Sequence, residues 1–150
     1  MADPRIVGYL NRAVAHEMSA VQQYMAQARL TALWGMAELS DSLRREAQEE
    51  LEHADRLMTR LMHYGLAPAG SQLAPVRLGR SVRQLMEYNR ALELDAVRMY
   101  EEAVAYCRRT GAREDAALFA ALLDEEWEHV REIDAQMNGN GSGDSDGRER

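Results

Sequence analysis

Lysine is absent from the 150 residues: all 18 basic side chains are arginine, set against 25 acidic ones, for a net charge of -7. A net negative chain gives no electrostatic reason to expect nucleic acid or an anionic membrane as partner, and suits cations better. The arginines are scattered rather than gathered into a phosphate-binding patch, and no function attaches to their exclusive use. The single cysteine, Cys107, excludes an intrachain disulfide and any Cys-based zinc or iron-sulfur site, and fits a reducing cytoplasm. No apolar run reaches the roughly 18 residues a bilayer crossing needs, and Met1 to Arg5 lack the features of a secretory signal, so a soluble cytoplasmic chain is expected. Proline (3) and glycine (10) are sparse. What fills their place is Ala, Leu, Arg, Glu, Gln and Met, the good helix formers, so the fold class is all-α, in one domain.

Four helical stretches follow from the apolar periodicity. Asp3 and Pro4 make a cap and first turn for a helix over about 4–33, which ends at Trp34 and Gly35. A second helix, over about 38–64, carries Leu39, Leu43, Ala47, Ala54, Leu57 and Leu61 and ends at Gly65. Pro68, Gly70, Pro75 and Gly79 make the next stretch a loop, and Ser81 can cap a third helix running to Gly111. The fourth covers about 112–137, and residues 138–150 read as a disordered polar tail. Helices of this length reach about 40 Å, and a 16-residue loop spans up to about 50 Å when extended. The first and last pairs are therefore antiparallel hairpins, joined by one crossover that runs the length of a four-helix bundle.

Polar residues interrupt the core stripes at regular places. Glu17 lies between Leu10 and Tyr24, Glu50 between Leu43 and Leu57, Glu93 between Met86 and Tyr100, and Glu126 between Phe119 and Ile133, all at seven-residue steps. His53 and His129 stand one turn after Glu50 and Glu126 on the same faces. Glu50 follows Glu17 by 33 residues, as Glu126 follows Glu93, so the two hairpins read as copies offset by 76. Tyr24 and Tyr100 occupy equivalent places and are expected to hydrogen-bond the carboxylates. Bare, four buried carboxylates would repel and cost several kcal/mol each in desolvation, whereas two divalent metals balance their charge with both histidines neutral. One Glu from each of two helices plus Glu-x-x-His from each of the others is the donor set of di-iron and di-manganese carboxylate bundles. Chance supplies about 0.4 Glu-x-x-His pairs at this composition, so two in register are hard to dismiss as accident. Cys107 reads as a small buried hydrophobe, His16 and His63 as surface residues, and Glu46, Glu49 and Glu52 as a solvated face.

These motifs, with Tyr9-Leu10-Asn11, Gln23-Tyr24, Trp34-Gly35, the run Glu50 to Arg56, Ala91 to Asp95 and Asp124 to His129, resemble the bacterioferritins of the ferritin-like superfamily. The resemblance runs from about Ile6 to Ile133. It implies two iron ions per subunit held by Glu17, Glu50, His53, Glu93, Glu126 and His129, with Glu50 and Glu126 as bridges and Glu17 and Glu93 as terminal ligands; manganese suits the same donors. It implies a ferroxidase that oxidises Fe(II) with oxygen or hydrogen peroxide and stores or detoxifies iron. The alternative is a di-iron or di-manganese peroxidase or catalase that works as a dimer without storage. The family holds haem on a methionine directly after the second-helix ligand, a position filled here by Leu51, so haem is not expected. Arg45 stands where some members place a surface-iron histidine. The family also carries a fifth helix lining a cage axis, where this chain offers a polar tail. The resemblance therefore implies a homo-oligomer built on a two-fold dimer, and leaves a 24-subunit cage short of one set of contacts.

Overall fold

The computed structural model describes residues 2–70 and 72–139. They form α1 (Pro4–Leu33), α2 (Ala37–His63), α3 (Val82–Arg109) and α4 (Arg113–Gly139), with no strand among the described residues. The caps act as their residue types dictate. The Asp3 carboxylate accepts the Arg5 amide at 2.8 Å, and Ser81 Oγ accepts the Gln84 amide at 3.1 Å while Gln84 Oε1 accepts the Arg80 amide at 2.7 Å. Gly35 (φ 82°) and Gly111 (φ 77°) take the left-handed conformation that turns each hairpin, and they too are 76 residues apart. The fourth helix continues through Asn138 and Gly139, two residues beyond the expected boundary. The rest of the expected tail, 140–150, lies outside the described residues.

Contacts between the hairpins settle the topology. Tyr24 meets Glu93 while Tyr100 meets Glu17, so α1 and α3 are antiparallel. Arg60 meets Asp115 while His53 lies beside Glu126, so α2 and α4 are antiparallel as well. The helices α2 and α3 therefore run parallel, as the long crossover requires. That crossover is tied down in register along α1. Asn11 Oδ1 accepts the Ala69 amide, Ser19 Oγ the Ala74 amide and Gln23 Oε1 the Arg77 amide, at 2.9 to 3.1 Å. Behind them Gln23 donates to Asn89, Asn89 to Gln27, and Gln27 to the Arg77 carbonyl, closing a buried amide network that locks the strap onto α1 and α3.

The apolar core is split. One cluster gathers Tyr9, Leu10, Leu57, Leu61, Tyr100, Phe119 and Leu122, with Cys107 fully buried among them as expected. A second gathers Ala20, Tyr24, Ala28, Leu43, Ala47 and Leu85. The layer between them is polar, and all four helices contribute to it.

Candidate metal centre

Glu17 on α1, Glu50 and His53 on α2, Glu93 on α3, and Glu126 and His129 on α4 fill this middle layer, none more than 4% exposed. Each stands where an apolar residue would continue its helix's inner stripe, so packing of the flanking turns holds it inside. Two groups of donor atoms form, each with all atoms within 4.8 Å of one another: Glu17, Glu50, His53 and Glu126, and Glu50, Glu93, Glu126 and His129. Glu50 and Glu126 belong to both. The imidazoles lie nearly parallel, 12° apart, with ring centres 6.0 Å apart.

Both histidines turn the same nitrogen inward. Nδ1 of His53 lies 3.0 Å from Glu50 and 3.4 Å from Glu17, and Nδ1 of His129 lies 3.1 Å from Glu126 and 3.4 Å from Glu93. The outer nitrogens meet carboxylates: His53 Nε2 is 3.0 Å from Glu125, and His129 Nε2 is 2.6 Å from Glu49. A carboxylate on the far nitrogen fixes the tautomer and makes the inner nitrogen a better donor to a metal. Tyr24 donates to Glu93 at 2.5 Å and Tyr100 donates to Glu17 at 2.6 Å. Burial first, then the surrounding carboxylates, push both phenols well above the ordinary range, so they remain neutral donors.

Without metal, protons must balance the layer. Burial and the other three glutamates push Glu50 well up, and burial with the charges of Glu17 and Glu93 pushes Glu126 to about 9. Burial acts on Glu17 and Glu93 too, but is outweighed. His53, Glu126 and Tyr100 hold Glu17 below its usual value, and His129, Glu126 and Glu50 bring Glu93 down to about 2. Burial would lower both imidazoles, yet the facing carboxylates raise them far above 6.5. These directions favour two carboxylates, two carboxylic acids and two imidazolium ions in the metal-free layer.

Several of its atoms still have no hydrogen-bond partner: Oε1 of Glu17, Oε1 of Glu50, both oxygens of Glu126 and Nδ1 of His129. Buried polar groups left unpaired cost about 1–3 kcal/mol each, more when charged. Of the seven enclosed side-chain atoms without a hydrogen bond among the described residues, five belong to the two donor groups, the others being His16 Nε2 and Arg56 Nε, and this concentration fits the site to a pair of cations.

The structure departs from the sequence reading around this layer. Glu46 is half-buried rather than solvated, 3.6 Å from His129 Nδ1, and burial pushes its carboxyl to about 7 against the pull of His129. With Glu49 and His129 it forms a third donor group. A cavity of about 50 Å³ bounded by Tyr24, Glu46, His129 and Glu132 opens beside it. Glu125, also missed, accepts from Arg56 at 2.8 Å. One sequence signal could have found two of these residues: the glutamate that opens each Glu-x-x-His motif is preceded by another, Glu49 before Glu50 and Glu125 before Glu126. His63 is exposed as expected, but His16 is half-buried, its Nε2 enclosed without a partner at a groove of about 720 Å³ between α1, α3 and the crossover. Burial pushes the Cys107 thiol up to about 11, which keeps it protonated and inert. None of the helices is long and apolar enough to cross a membrane.

Comparison with known proteins gives the family and the fold. A ferritin-like domain family matches residues 7–139. The bacterioferritin of Rhodobacter capsulatus is 32% identical over 136 residues, which cover 91% of this chain and 84% of that protein. That of Brucella melitensis is 32% identical with the same coverage, and that of Mycolicibacterium paratuberculosis 26% identical over 135 residues. The structure of the Rhodobacter capsulatus bacterioferritin, which has a metal-free dinuclear site and a haem iron in a crystallographic special position, matches with a TM-score of 0.90 at 31% identity, covering 93% of this chain and 88% of that one. The chain therefore belongs to the ferritin-like family, and its relatives there are bacterioferritins.

Proposed function

We propose that the protein is a ferroxidase that takes Fe(II) as substrate and serves iron storage and detoxification. The observation that carries this reading is the pair of four-donor groups sharing Glu50 and Glu126, with their unpartnered buried oxygens. Glu17 and His53 would hold one ion and Glu93 and His129 the other, with Glu50 and Glu126 common to both donor groups. As the ions enter, Glu50, Glu126 and both imidazoles give up their protons, so charge is conserved in the buried layer. Each Fe(II) then yields one electron. A two-electron acceptor takes both: oxygen with two protons becomes hydrogen peroxide, or hydrogen peroxide with two protons becomes two waters. Tyr24 and Tyr100 keep Glu93 and Glu17 oriented throughout. Manganese would fit the same donors; the likeness to bacterioferritins is what supports proposing iron.

Leu51 is exposed on α2 and has no donor atom, so haem iron would find no axial ligand at that position. The proposal extends to a cytoplasmic homo-oligomer, in keeping with the bacterioferritin relatives; its helical unit, read from the sequence as 1–137, runs on to Gly139 in α4.

Aerobic addition of Fe(II) followed by stopped-flow absorbance tests the proposal. A fast phase should appear in the parent and vanish in Glu50→Ala and Glu126→Ala, each checked for folding by circular dichroism. Oxidation at the parent rate in either folded variant would refute the assignment. Iron per chain after exhaustive loading separates storage, at hundreds of ions, from a catalytic centre alone, at about two.

A further inference from the structure

The internal repeat makes the two halves of the centre equal in their first ring of donors. Shifted by 76 residues, Glu17 becomes Glu93, Glu50 becomes Glu126 and His53 becomes His129. The equality extends one step outward, because Glu49 on His129 is the counterpart of Glu125 on His53. It then stops. Arg56 lies one turn after His53 and binds the far oxygen of Glu125 at 2.8 Å, whereas the counterpart of Arg56 is Glu132. A second position breaks in the same direction, since the half-buried Glu46 corresponds to the buried Leu122. The carboxylate on His53 is thus pinned and neutralised by a cation. The one on His129 stands among further carboxylates, with Glu46 and Glu132 lining the same small cavity as that imidazole.

The consequence for His53 is mechanical. Glu125 is 44% exposed and on its own would exchange its imidazole contact with water. Arg56, only 33% exposed, holds one oxygen so that the other faces His53 Nε2. That bond fixes the ring with Nδ1 toward Glu17 and Glu50.

We propose that Arg56 is a positioning residue which, through Glu125, anchors His53 and thereby makes the two metal positions of a nearly symmetric centre unequal in affinity. The inference rests on the dinuclear reading above and deepens it. It concerns the order in which ions fill the centre, since a chain with one anchored half binds its two ions in distinct steps.

Co(II), which reports its coordination by visible absorbance, tests this on the metal-free full-length chain without any turnover. The parent should bind two ions per chain with two resolved dissociation constants. In Arg56→Gln one constant should rise about tenfold, at the lower end of the range for losing such a support, while the other stays within twofold. Arg56→Lys should restore most of the loss, because an ammonium can still hold Glu125. Circular dichroism melting of each metal-free variant shows that the bundle is intact. Two indistinguishable constants in the parent, or constants in Arg56→Gln that are unchanged or weakened equally, would overturn the anchoring role while leaving the dinuclear centre standing. Failure of the parent to bind two Co(II) ions would overturn the dinuclear reading and the anchoring role together.

Discussion

Loading the centre with a redox-inert divalent ion should expel about four protons per chain, a count that follows from the directions in which burial and the neighbouring charges shift its six donors. At pH 7.5 the metal-free layer carries protons on Glu126, whose carboxyl titrates at about 9, and on Glu50, pushed well up by burial and its three glutamate neighbours. Two more sit on His53 and His129, raised by the carboxylates they face. Glu17 and Glu93 are already ionised. Two carboxylates against two imidazolium ions sum to zero. Four carboxylates and two neutral imidazoles around two divalent cations also sum to zero, so the exchange leaves the net charge of the low-dielectric interior unchanged. Adding two equivalents of Zn(II) to metal-free protein in dilute buffer with a pH indicator reads the release directly. The same stoichiometry makes the apparent affinity for each ion rise about a hundredfold per pH unit, since two protons leave per metal. A release of two protons or fewer would refute the reasoning, because one class of protonated group, carboxyl or imidazole, would then already be deprotonated.

The metal-free protein should lose stability as pH rises from about 7 to 9: the folded-state values of Glu50, Glu126, His53 and His129 are all raised, so their contribution is present below the unfolded values and is lost as pH climbs through the folded ones. Melting of chelator-treated protein at pH 6, 7.5 and 9 checks the sign, and a rising melting temperature would contradict it. Tyr100→Phe removes a hydrogen bond to a buried carboxylate and should cost about 2 kcal/mol in metal-free chemical denaturation while slowing Fe(II) oxidation; stability and rate both at parent levels would exclude the role given to the phenol. For assembly, the storage reading requires a closed particle of about 400 kDa rather than the roughly 34 kDa of a dimer of 17.0 kDa subunits, and light scattering on the 150-residue chain checks it. A dimer mass would refute storage and leave a catalytic centre alone.

The helices were legible because each is amphipathic on its own, and their starts and ends carry local chemistry in Asp3, Ser81, Gly35 and Gly111. The crossover was legible from length alone. What pins it was not, because Gln23, Gln27 and Asn89 sit as ordinary polar residues in their helices and become a network only when α1, α3 and the loop meet. The six inward donors stood out because a glutamate on an apolar stripe violates the pattern that predicts burial. Glu46 stands at the edge of that stripe, seven residues after Leu39 and seven before His53, but among the polar Arg44, Arg45 and Gln48 it reads as part of the solvated face, and it is α4, through His129, that draws it in. The same holds for Glu49 and Glu125, whose orientation depends on an imidazole from the opposite hairpin. Periodicity therefore reports what a helix does to its own residues, and it is silent about what a partner helix does to them. The repeat shares that silence in a useful way. Where both copies agree, at the six donors and two tyrosines, they mark what each half of the centre requires; where they disagree, at Arg56 against Glu132 and at Glu46 against Leu122, they mark what distinguishes one half from the other. A dinuclear centre built from two copies can treat its ions differently only through the second kind of position, which is why the chemical asymmetry has to be sought outside the donor set.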